Sequence, residues 1–159
     1  MILDLYRATS PQMREAGRAW YPNAYAICEA IGGGEIPAET VARVMAILSP
    51  RCTWRTCVAW TLMLVEAYLA GQPVPAVSTA GNRRKAWREL HGEPALSGQK
   101  VTAFARAIQG DPDAVVIDSW TMRAVGLHPA KTVTRARQRR ITTTYTEAAA
   151  VVGESPRDF

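Results

Sequence analysis

Apolar residues recur at helical spacing along most of this chain, and strand-like alternation is nearly absent. Val41, Val44, Met45 and Leu48 stand at i, i+3, i+4 and i+7. Val101, Phe104, Ala105 and Ile108 repeat the pattern, and Val58, Leu62, Val65 and Leu69 step by four, three and four. Each set draws one apolar stripe along a 3.6-residue helix and predicts that the stripe faces a core. The only β-branched run, "AVVID" at 114–118, is short.

Punctuation separates the helices. Ser10 followed by Pro11 opens one of them. Pro22 is expected to interrupt or restart it, because proline removes an amide donor and crowds the preceding turn. "GGGEIPAE" (32–39) is a connector, and Ser49-Pro50 is a stop, since the residue before proline avoids the helical region. "GQPVPAVST" (71–79), "HGEPALSG" (91–98) and "QGDPDA" (109–114) are loops. From Thr132 to Val152 a basic turn and helix lead to Gly153. The expectation is six to eight helices in one all-α domain over residues 1–159, a compact multi-helix arrangement. A domain of this size buries about two thirds of its unfolded surface and needs no staples.

Charge and cysteine usage narrow the class. A net charge of +5 favours an acidic partner, nucleic acid foremost. Cys28, Cys52 and Cys57 are odd in number and form no CxxC pair. They cannot make a four-ligand zinc or iron–sulfur site or a disulfide framework, and they read as buried thiols of a cytoplasmic protein. His91 and His128 are too far apart in sequence to suggest a metal pair. "MILDLYRATSPQ" carries charges that a signal peptide lacks, and no stretch approaches the about 20 apolar residues of a membrane span.

Two residues carry potential chemistry. Lys100 follows "LSG", where Gly98 permits a tight turn into a helix N-terminus whose free amides and dipole suit a phosphate. Lys100 fits a phosphate ligand, an amine nucleophile or an ordinary solvated lysine. Asp118 follows Val115, Val116 and Ile117 and precedes Ser119-Trp120. It fits a helix N-cap, and equally a carboxylate held at the mouth of a pocket, because capping fixes the side chain.

"ILSPRCTW" (47–54), "LSGQK" (96–100) and "VVIDSW" (115–120) together resemble the helix-hairpin-helix DNA glycosylase superfamily in its endonuclease III-like branch. That branch carries an "LLSAQATD"-type segment, an "LPGVGRK"-type hairpin ending in the catalytic lysine, and a "VDTH"-type aspartate. Asp118 follows Lys100 by eighteen positions, which is the family's spacing, and the likeness covers about residues 38–126. The resemblance implies that Lys100 attacks the sugar C1′ to form a Schiff base. It implies that Asp118 stabilises the positive sugar or activates the nucleophile. Arg51 would fill the gap left by a flipped nucleotide, and Gly98 and Gln99 would hold backbone phosphate through the hairpin. Thr53, Trp54 and Trp120 would border the pocket.

This sequence departs from the family in stated ways. Its hairpin is two residues shorter and lacks the second glycine. The four-cysteine cluster of many relatives is missing, and "DSW" stands after the aspartate.

Two basic runs flank the proposed site in sequence. One places Arg83, Arg84, Lys85 and Arg88 around Trp87, and the other carries Lys131, Arg135, Arg137, Arg139 and Arg140. Such runs are either solvated helix faces or phosphate-binding surfaces. Trp20, Trp54 and Trp60 fit core positions better than base stacking. The leading expectation is a monomeric DNA glycosylase of base excision repair. It would flip a base from double-stranded DNA without metal or cofactor and away from membranes, in the cytoplasm or, if viral, the host cytoplasm. The alternatives are a same-fold enzyme of viral DNA base hypermodification and a catalytically silent DNA-binding module.

Overall fold

The computed structural model describes residues 1–128 and 133–159, which form eight helices with no strand among them. They are α1 (Ile2–Ala8), α2 (Pro11–Gly32), α3 (Ala38–Leu48), α4 (Trp54–Leu69), α5 (Ala80–Leu90), α6 (Gln99–Ile108), α7 (Ser119–Ala124) and α8 (Arg135–Val152). The protein is all-α. Lys131 and Thr132 lie outside the described residues.

Local chemistry sets most of the boundaries. The Ser10 hydroxyl accepts the Met13 amide at 3.2 Å, with Pro11 at the first helical position. Thr53, Thr79 and Thr134 cap α4, α5 and α8 in the same way. Gly33 and Gly153 close α2 and α8 in the left-handed conformation. Pro22 does not interrupt the second helix, contrary to the expectation above; α2 runs straight through it. Tyr21, Ala24, Tyr25 and Cys28 pack into the main core on either side of the missing hydrogen bond, and that burial carries the helix across.

The third helix is the centre of the molecule. Val41, Ala42, Val44, Met45, Ala46, Ile47 and Leu48 are all buried, so α3 is apolar around its whole circumference in its second half. Helices α2, α4, α5 and α6 surround it. The predicted stripe of α4 is displaced. Its buried face runs through Cys57, Thr61, Leu64 and Val65, whereas Leu62 and Leu69 are 40% and 43% exposed. Both sets have helical periodicity, and contact with α3 decides between them. Thr61 can occupy the buried face because its hydroxyl donates to the Cys57 carbonyl at 2.8 Å.

A second, smaller core joins Val115, Ile117, Met122 and Ile141, with Val125, Val133 and Tyr145 packed against it. Residues 114–118 belong to no helix or strand. The C-terminal tail ties this part to the first two helices. Glu154 accepts the Tyr6 hydroxyl at 2.9 Å and pairs with Arg18. Phe159 stacks on Tyr6 at 4.9 Å. Among the described residues no helix is long and apolar enough to cross a membrane.

Candidate functional site: a cleft between the two cores

A cleft of about 640 Å³ opens between the main core and the smaller one, within the size range of small-ligand sites. Trp20 and Tyr21 of α2, Cys52 and Trp54 at the α3–α4 turn, and Phe104 of α6 form one wall. Their rings touch in series. Trp20 lies 4.8 Å from Trp54 and 6.0 Å from Phe104, and Tyr21 lies 6.4 Å from Phe104. Val116, Asp118, Trp120 and Thr121, together with Tyr145 of α8, form the other wall.

Lys100 and Asp118 both line this cleft, although they stand eighteen positions apart, with the rest of α6 after Lys100 between them. They also line an adjoining hollow of about 660 Å³ with Gly98, Gln99 and Gln138. No ion pair joins them, and Lys100 is exposed. Thr53, Trp54 and Trp120 also line the cleft. Trp20 does not occupy a core position. It is 37% exposed and forms part of the aromatic wall. Arg51 sits exposed on the turn between Ser49 and Cys52, with φ +66°, a conformation uncommon for a long side chain.

The cap of α7 holds Asp118. Its Oδ1 accepts the amides of Trp120 at 2.8 Å and Thr121 at 2.9 Å, and the Thr121 hydroxyl lies 3.0 Å away. Among the described residues no donor reaches Oδ2. One carboxylate oxygen is therefore fixed by the helix while the other remains available to a ligand. Burial, and then the negative charge of Asp118, push the Tyr21 hydroxyl up to about 12. Burial also takes Tyr145 to about 12, with Asp118 contributing. Both phenols stay protonated at neutral pH and offer O–H donors beside an acceptor.

Lys100 depends on its hairpin. Gly98 has φ +90° and ψ 131° and precedes α6 without a side-chain cap. The first intrahelical bond runs from the Thr102 amide to the Gly98 carbonyl at 2.9 Å, which leaves the earlier amides unused within the helix. The buried carboxylate of Glu89 fixes the preceding loop, accepting the Ala95 and Leu96 amides at 2.6 and 2.7 Å. It also pairs with Arg43 at 2.8 Å. Glu89, Tyr21 and Tyr145 were missed as candidates from sequence. The spacing Ala86, Glu89, Leu90 already placed Glu89 on the inner face of α5, but the basic residues around it hid that signal.

The chain matches a family model over residues 1–159, described as "Family of unknown function (DUF7178)". The chain belongs to DUF7178. No curated protein and no solved structure matches it.

The basic residues of this DUF7178 member divide by position. Arg135 and Arg139 line a groove of about 460 Å³ with Gln99, Thr142 and Thr143, beside the α6 hairpin. Lys85 reaches the same hairpin, donating to Ser97 at 2.8 Å. Arg137 instead donates to the His128 carbonyl at 2.6 Å. Arg83 and Arg84 lie on α5 and Arg140 lies on α8, and none of the three lines the cleft. Among the described residues no group of three or more His, Cys, Asp or Glu could hold a metal ion.

Proposed function

We propose that this protein binds duplex DNA, draws one nucleotide out of the stack into the cleft, and acts at its glycosidic bond. The observation that carries the reading is the presence of Lys100 and Asp118 on one cleft with an aromatic wall. A base leaving the duplex loses its stacking, at a cost of a few kcal/mol, and an aromatic wall offsets part of that loss. The groove bearing Arg135 and Arg139 adjoins the hairpin and suits backbone phosphate.

The chemistry then divides between two groups. The C1′–N bond breaks and its electron pair leaves with the base, which takes up a proton. Asp118 Oδ2 stabilises the positive charge that develops on the sugar. The lone pair of the Lys100 amine forms the new bond to C1′; the C1′–O4′ bond then breaks, O4′ takes the proton that the nitrogen gives up, and the C=N bond of the Schiff base remains.

The test uses duplexes carrying uracil, oxidised pyrimidines or hydroxymethyluracil, scored for released base and for a borohydride-trapped adduct. Wild type should release at least one base, Asp118→Asn should abolish release, and Lys100→Ala should abolish trapping. Absence of both base release and adduct on every duplex rejects the enzymatic reading.

A second reading is a DNA-binding module that breaks no bond. Lys100 favours it, being exposed and making no ion pair with Asp118. It predicts salt-dependent duplex binding that survives Lys100→Ala and Asp118→Asn. Nucleoside mass spectrometry after incubation separates both readings from modification of the base itself.

A further inference from the structure

Trp120 stands apart from the other aromatic residues of the cleft. It is 71% exposed, so most of the indole is open to a partner. It belongs to the first turn of α7, directly after the cap at Asp118, so its backbone is fixed rather than loose. The Arg123 guanidinium lies over its ring at 4.9 Å from the centroid. A cation over one face of an indole leaves the other face free. No ring contact joins Trp120 to Trp20, Trp54 or Phe104, although all four line the same cleft from its two sides. The indole and the aromatic wall line the same cleft of about 640 Å³.

We infer that Trp120 is a stacking platform for an unpaired nucleobase at the mouth of the cleft, with Arg123 bracing the indole from behind. The occupant is a planar ring attached to a phosphate backbone. A planar ring suits the free indole face and the wall opposite. The anionic backbone suits the net charge of +5 and the nearby Arg135–Arg139 groove. A paired base within a duplex cannot reach this surface, so the platform selects nucleotides that have left the stack. The inference rests on the DNA-binding part of the proposed function and not on its bond-breaking step.

The experiment compares equilibrium binding of the full chain to a duplex with one unpaired thymine bulge and to a fully paired duplex of the same flanks, at fixed salt. Trp120→Ala should weaken binding to the bulged duplex by roughly fivefold to a hundredfold, the range for loss of one base–aromatic stack. Binding to the paired duplex should hold within about twofold, because phosphate contacts are untouched. Trp120→Phe should recover most of the loss, and thermal unfolding should be unchanged, since the side chain is mostly exposed. Equal losses on both duplexes, or none on the bulged one, overturn the platform and leave DNA binding standing. Failure of wild type to bind either duplex overturns both.

Discussion

Glu89 of α5 pairs with Arg43 of α3 at 2.8 Å, and through this pair the central helix holds the loop that leads to Lys100. The Glu89 side chain is 4% exposed, while that of Arg43 is 33% exposed. Replacing Glu89 by Ala strands a guanidinium and two backbone amides. Breaking a buried pair costs about 3–5 kcal/mol, and the partial exposure of Arg43 reduces this to about 2–4 kcal/mol. Urea unfolding of Glu89→Ala measures the loss. A change below about 0.5 kcal/mol, the range of ordinary surface substitutions, shows that the loop does not depend on this carboxylate.

The same carboxylate sets an acid limit. Burial raises the pKa of Glu89, but hydrogen bonds from Ala95, Arg43 and Leu96 outweigh it and hold the group below its usual 4.5. A carboxylate depressed in the folded state contributes its full stability above the unfolded pKa and loses it as pH falls through the folded value. Stability should therefore decline below about pH 4.5. Glu89→Gln should flatten that decline in unfolding curves taken across the acid range. An unchanged acid slope in this variant assigns the loss to other carboxylates.

Asp118 combines two roles that substitution can separate. Asparagine keeps an oxygen that can cap α7, whereas alanine removes it, at a cost of about 0.5–2 kcal/mol. Asp118→Asn should unfold close to wild type and Asp118→Ala at a lower temperature. Any base release should disappear in both. Activity retained by Asp118→Asn would confine this residue to capping.

Gly98 is required for its backbone angles and not for space. At φ +90° no L-residue is comfortable, yet an added Cβ would meet nothing within 4 Å. Gly98→Ala should cost about 1–3 kcal/mol through conformational strain alone. The variant should also shift DNA affinity, because the strain falls on the turn before Lys100. Thermal unfolding paired with a binding titration checks both. An unchanged melting temperature indicates that the turn relaxes to another shape.

The cysteines differ in access. Cys28 and Cys57 are buried, and burial pushes both thiols up, Cys28 to about 12. Cys52 is half-buried on the cleft wall. An aromatic disulfide reagent at mildly alkaline pH should label Cys52 first and the other two only on unfolding. Mass spectrometry of the labelled native protein reads the order, and early labelling of Cys57 contradicts it.

The helices, their caps and most loops were legible because these signals are local. Ser10-Pro11, the α3 periodicity, Asp118 before α7 and Gly153 after α8 each act within one or two turns. Lys100 and Asp118 reach one cleft through the packing of segments eighteen positions apart. The chain itself carried no direct record of it.

Spacing, caps and composition were enough to determine an all-helical chain with positive charge. The thiols were expected to be buried, which holds for Cys28 and Cys57 but not for Cys52, left half-buried on the cleft wall. Three features were decided by packing alone: which face of α4 turns inward, how Pro22 is carried within α2, and where Tyr21 and Tyr145 meet Asp118. Each depends on which partner surface covers a residue. Partners such as α3 for α4, or α8 for the cleft, come from distant parts of the chain, so periodicity along one helix cannot specify them.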